Sequence, residues 1–118
     1  MNIQDVAARL VQLAREGKIT QIIDELFVEN AVAIEADESM GPKVVEGAAN
    51  IKVKNDHFNA SIEEFHSASI SDPIVTDKHF AVTWTIDVTM KGAGKVHMEE
   101  IIVYKVVEGK IVSEQFFY

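Results

Sequence analysis

FAVTWTIDVTM, residues 80–90, alternates without a break. Phe80, Val82, Trp84, Ile86, Val88 and Met90 stand at even positions, with Ala81, Thr83, Thr85, Asp87 and Thr89 between them. A period of two in β-branched and aromatic residues marks a strand whose two faces have different neighbours. Downstream, Gly92 and Gly94 turn the chain, and residues 96–107 form a second strand. Glu108-Gly109 is a tight two-residue turn before a third strand at 110–117. A meander of this length has to bury one face, so helices are expected upstream to cover it.

The upstream sequence supplies them. Ile3, Val6, Ala7, Leu10, Val11 and Ala14 recur at helical spacing, with Asn2 to cap the start and Gly17 to end it. Ile19, Ile22, Ile23, Leu26 and Phe27 mark a second, shorter helix. Residues 31–36 read as a short buried strand apart from Glu35, and residues 37–42 as a polar loop punctuated by Gly41-Pro42. Ala48, Ile51, Asn55 and Phe58 give a third helix. Residues 62–75 form a long strand interrupted by Pro73, which belongs at an edge or bulge. No repeat or linker divides the chain, so one domain is expected over residues 1–118. The expected fold is α+β: a cone in which a curved antiparallel sheet and three helices enclose a pocket.

Composition narrows the partners. With 47% hydrophobic and 25% charged residues the chain is an ordinary folded protein. Its net charge of −8 and its 11 scattered basic residues argue against nucleic acid or an anionic membrane as partner. It has no cysteine, so disulfides and thiolate chemistry are excluded. The first residues lack the pattern of a signal peptide and no stretch is apolar enough to span a bilayer, so a soluble cytoplasmic protein is expected.

Three stretches resemble the NTF2-like superfamily, in particular its SnoaL-like and ketosteroid-isomerase-like branch. Glu16-Gly17-Lys18-Ile19 with residues 26–32 (LFVENAV) resembles the branch's G-D-I … L-Y-A-D-D-A-V segment. Val44-Val45-Glu46-Gly47 resembles its entry to the third helix, and residues 108–118 (EGKIVSEQFFY) resemble its closing hairpin. The resemblance implies a cone-shaped fold, a small-molecule pocket and a homodimer built on the outer sheet face, here Thr83, Thr85, Asp87 and Thr89. It does not fix a reaction, because the superfamily holds isomerases, cyclases, hydrolases and members without catalysis.

Glu35 resembles the catalytic carboxylate of the isomerases, a general base that takes a proton next to a carbonyl; its plain alternative is a strand-end glutamate facing solvent. Those isomerases complete their site with a tyrosine and a protonated aspartate. Here Leu10 stands where the tyrosine is expected, and Ile101 or Ile102 near the second acid. Steroid isomerisation is therefore not expected.

His97 and Glu99 share a strand face and form an acid–base pair if that face is inward, or solvated residues near a hairpin tip if it is not. Glu100 lies on the opposite face with Met98 and Ile102, and the sequence does not decide which face lines the pocket. Phe58, Trp84, Met90, Phe116 and Tyr118 are candidates for an aromatic-lined ligand site, with core packing as the alternative. Asn55 and Lys54 on the third helix are candidate polar contacts at its mouth. The four histidines have no metal-ligand spacing and the serines carry no nucleophile elbow, so neither a metal nor a cofactor is expected. Two functions remain: an enzyme using Glu35 on an apolar carbonyl ligand, or a non-catalytic binding or dimerisation module.

Overall fold

The computed structural model describes residues 1–39 and 41–118; Met40, in the expected polar loop, lies outside the described residues. The elements run α1 (Ile3–Arg15), α2 (Ile19–Leu26), β1 (Phe27–Ile34), β2 (Val44–Glu46), α3 (Ala48–Ser61), β3 (Ile62–Ile70), β4 (Ile74–Val75), β5 (His79–Met90), β6 (Gly94–Val107) and β7 (Lys110–Phe117). The fold is α+β, with three helices in the N-terminal half and one curved sheet.

Asn2 caps α1 as its side chain suggests. Its amide oxygen accepts from the Asp5 backbone N–H at 2.8 Å, and the Asp5 carboxylate accepts from the Asn2 backbone N–H at 3.4 Å. Such a reciprocal cap contributes about 1 kcal/mol. The Arg9 guanidinium donates to both oxygens of Glu25, at 2.6 and 2.9 Å, and fixes α1 against α2. That fork holds the Glu25 carboxyl down at about 2. Lys52 donates to Asp24 at 2.6 Å and ties α3 to α2.

The first strand starts four residues before its expected position, because α2 runs directly into it: Phe27 is already extended as the helix cap and pairs with Ile111. The pairing then shifts register between Phe27 and Val32. Exposed Glu29 and Asn30 fall in that irregular section, which hides the alternation from a count along the sequence. The expected strand at 62–75 divides into β3 and β4, both paired with β5, because Pro73 has no N–H for a ladder. At the last turn Glu108 and Gly109 both have positive φ, 51° and 76°, the geometry that fits a two-residue hairpin. A Cβ at Gly109 would come within 2.6 Å of the Met1 carbonyl oxygen, so the turn also needs glycine for the approach of the N-terminus.

The strand order is β2-β1-β7-β6-β5-β3, with β4 also on β5. Every pair is antiparallel except β1–β7, so the expected curved antiparallel sheet is mixed at this one pair. That parallel pair matters, because it brings the ends of β1 and β7, and with them Glu35 and Tyr118, to the same edge of the molecule. The core lies between the sheet's inner face and α1 and α2. Leu10, Leu13, Leu26, Phe80 and Ile111 are fully buried, and Phe80 stacks on Tyr104 with centroids 4.8 Å apart.

Candidate functional site on the inner sheet face

Strand pairing places residues on the inner face row by row, because directly paired residues share a face. One row is Ala33, Glu114, Tyr104 and Phe80. The next is Phe116, Ile102 and Val82. A third holds Glu100, Trp84 and Ile70. Even-numbered residues of β6 therefore face inward, and the two faces left open by the sequence are assigned. Glu35 follows Ala31 and Ala33 on the inward parity just beyond β1, with its backbone N–H donating to the Lys43 carbonyl at 2.7 Å.

α3 brings a cation to this face. Ile51, Lys54, Asn55 and Phe58 lie at helical spacing, and Ile51 is in the core. The Lys54 ammonium sits 4.5 Å from the Phe116 ring centroid and forms an ion pair with Glu35 Oε1. The Tyr118 hydroxyl donates to Glu35 Oε2 at 3.2 Å. Both carboxylate oxygens are thus engaged, and the Glu35 side chain is only 13% exposed. The solvent-facing alternative for Glu35 does not hold. Burial, then the charge of Glu35, raises the Tyr118 hydroxyl above the usual phenol range.

Two further acids enter the site. Glu114 is 8% exposed, and burial pushes its carboxyl up to about 7, opposed by Lys54 and reinforced by Glu35 and Glu100. Glu100 is pushed up to about 7 as well, by burial first and the negative charge of Glu35 second, against Lys54. The Tyr104 hydroxyl is raised by burial and by both acids. Around one ammonium the fold has gathered three carboxyls.

The remaining sequence candidates distribute as follows. Trp84 and Phe116 pack against the core; Trp84 is the strand partner of Glu100, and Phe116 lies under the Lys54 ammonium. Asn55 lies on the Lys54 helix, and its Nδ2 is sealed from solvent with no hydrogen-bond partner among the described residues. Phe58 and Met90 are half-buried and stand outside the main core cluster, Met90 at the β5–β6 turn. Tyr118 is half exposed at the edge. His97 and Glu99 are on the outer face: His97 Nδ1 is 2.7 Å from Asp87 Oδ1, Nε2 is 3.8 Å from Glu99, and its side chain is 57% exposed. Asp87 raises the imidazole above its ordinary value. The structure does not bring this pair to Glu35.

The sequence points to neither Glu114 nor Tyr104, and it offers Glu100 only as the acid opposite His97 and Glu99 on the same strand. A signal existed for Glu100, an acid on the parity of Ile102 and Tyr104, apolar residues that are buried. Two surface grooves lie elsewhere. One of 440 Å³ runs between α1 and Asp72-Pro73, and one of 690 Å³ lies beside Glu29, Asn30 and Gly47.

Comparison with known proteins places this geometry in context. A family model described as the SnoaL-like domain matches residues 1–118. A provisionally assigned SnoaL-like polyketide cyclase from Mesorhizobium loti, also given as a carbohydrate phosphatase, superposes with a TM-score of 0.93 at 29% identity, covering 100% of both chains. TerC co-crystallised with polyporic acid gives a TM-score of 0.75 at 15% identity, over 98% of this chain and 91% of that one. A protein of ketosteroid-isomerase-like fold from Catenulispora acidiphila, in complex with trimethylamine, gives 0.68 at 17% identity, over 84% and 73%. No curated protein matches the chain. Among the described residues no helix is long and apolar enough to cross a membrane, and no group of His, Cys, Asp and Glu is placed to hold a metal ion.

Proposed function

This chain belongs to the SnoaL-like domain family, and from that footing we propose that it binds a small apolar carbonyl compound on the inner sheet face and moves a proton next to the carbonyl, with Glu35 as the base. The observation that carries the reading is the setting of Glu35: a largely buried carboxylate held by Lys54 and Tyr118. A base needs orientation and protection from water before it needs anything else.

In the proposed step Glu35 takes the proton from the carbon beside the carbonyl, and the electron pair of that C–H bond moves into an enolate. Glu35 becomes neutral as the enolate oxygen becomes negative. The Lys54 ammonium and the Tyr118 hydroxyl, freed from a charged carboxylate, are then the donors available to the oxygen. Reprotonation at the same carbon gives exchange, and at another carbon it gives isomerisation. The donors missing at Leu10 and Ile102 are thus supplied from α3 and the C-terminal residue. Small ligands in structures of the same fold, polyporic acid and trimethylamine, support a binding role. A panel of methyl aryl ketones incubated with the protein in D2O, read by loss of the α-proton signal, tests the reading. No exchange above the buffer rate for any member of the panel counts against catalysis.

A second reading has its own support, because an ion pair that satisfies both partners is also a structural tie. In that case the protein is a non-catalytic ligand-binding module and the panel binds without exchange.

The outer face supports a homodimer. Ile101 and Phe117 are paired across β6 and β7, and both are about half exposed, 48% and 47%. They lie beside Thr83 on the outward side of the sheet. Light scattering after gel filtration is expected to give twice the 13.1 kDa chain mass, with Ile101→Glu shifting it to the single-chain value. A single-chain mass for the unmodified protein removes the dimer.

A further inference from the structure

β6 is longer than the strand beside it. β7 stops at Phe117, whose partner is Ile101, so residues 94–100 of β6 pair with β5 alone. In an antiparallel ladder alternate residues direct their N–H and C=O to opposite sides. Half of the backbone groups of this stretch therefore point away from β5, and no backbone group of another described residue bonds them.

The other edges of the sheet are guarded. β3, at one end, breaks register twice against β5, and such bulges twist an edge away from further pairing. β2, at the other end, is only Val44–Glu46. The free part of β6 has neither device: its register on β5 runs unbroken from Lys105 to Gly94, and it contains no proline. It is a regular open edge, the kind that accepts another strand.

Its own sequence decides which strand fits. Lys95, His97 and Glu99 lie on the outer face, paired with Thr89, Asp87 and Thr85, while Val96 and Met98 lie on the inner face, paired with Val88 and Ile86. Laid antiparallel against a second copy about a two-fold axis at His97, Lys95 meets Glu99 of that copy and Val96 meets its Met98. Each match occurs twice, charge against opposite charge and apolar against apolar. The axis is fixed by the fold, because the free stretch ends at the hairpin turn before Gly94 and at the end of β7 beside Ile101, and its midpoint is His97. A slip of one residue sets Val96 against Glu99 or His97 and loses both matches. The two central imidazoles each keep their bond to Asp87 of their own chain, 2.7 Å long.

We propose that the free edge of β6 pairs with the same edge of a second copy, antiparallel about His97, so that two curved sheets become one. The contact is separate from the outer-face dimer, since it uses a strand edge rather than the side chains of Ile101 and Phe117. A window this short falls well below a standard interface. It therefore joins copies at concentrations above those of gel filtration and links face dimers into larger assemblies.

The test uses the full chain carrying Ile101→Glu, which takes the outer-face contact away and leaves the edge. Sedimentation equilibrium from micromolar to millimolar concentration is expected to show the mass doubling. Adding Lys95→Glu, or adding Glu99→Lys, puts like charges opposite each other twice across the axis and is expected to weaken association about tenfold. Both reversals together are expected to restore it. In a mixture of isotope-labelled and unlabelled chains, filtered NMR is expected to show contacts between Val96 and Met98 methyl groups of different chains. A mass that stays single up to millimolar concentration overturns the edge contact and leaves the outer-face dimer untouched. Association that the single reversals do not weaken, or that the double reversal does not restore, lies elsewhere and overturns it too. If the unmodified chain proves single in gel filtration, the outer-face dimer is lost and the same charge series applies to that chain directly.

Discussion

Replacing Glu114 by glutamine stabilises the fold at pH 8 by about 3 kcal/mol and leaves it almost unchanged at pH 4. The cause is linkage: the Glu114 carboxyl stands near 7 in the fold against a model value of 4.5, and each unit of difference is worth about 1.4 kcal/mol. The folded chain holds its proton more tightly than the unfolded chain does. Stability from this group is therefore fully present below pH 4.5, falls as pH rises towards 7, and is flat above. Glutamine keeps the shape and carries no charge to bury, so the loss at neutral and alkaline pH disappears with it. Urea denaturation at pH 4 and pH 8 measures the difference directly. An equal stability change at both values would mean that packing, not ionisation, sets the effect. Glu100→Gln follows the same sign, and because the two acids interact the double variant gains less than the sum.

Glu35→Gln abolishes proton exchange while the chain stays folded. Glutamine is nearly isosteric and accepts from Tyr118 as the carboxylate does, but cannot take a proton from carbon. The expected loss is about 10²- to 10⁴-fold in the rate of α-proton exchange on a ketone that binds. Its cost in stability is small by comparison, because the Lys54–Glu35 pair is only partly buried on the lysine side, 31% exposed. Far-UV circular dichroism and ketone binding unchanged, with exchange at the buffer rate, are the expected results. Exchange that survives in Glu35→Gln assigns the base elsewhere, with Glu100 as the next acid on the same face.

Most of the architecture was legible because it rests on local periodicity. The even positions of 80–90, the helical repeats of α1 and α2 and the turn at Glu108-Gly109 each need only neighbouring residues to be read. Glu35 was legible as a charge within an apolar run. What escaped depends on pairing between distant strands. Glu114 lies three residues after buried Ile111, so a simple alternation from Ile111 would send Ser113 inward and Glu114 out. The register of β7 on β6 shifts between Ile111 and Ser113, and the bulge turns Glu114 to the core instead. Glu100 needed the parity of β6, which its own sequence leaves open and its pairing with Trp84 decides. Lys54 was readable as polar, but its contact with Glu35 comes from the packing of α3 over the end of β1. For the same reason His97 and Glu99 were credible as an acid–base pair in one dimension and belong to the outer face in three.

The account depends on the inner face being a desolvated acid–base site, and carboxyl-carbon NMR across pH 4 to 9 tests that most directly. Glu100 and Glu114, assigned through their glutamine variants, are predicted to titrate near pH 7. Midpoints close to 4.5 for both would place these carboxyls in water and contradict the site from which the chemistry is argued.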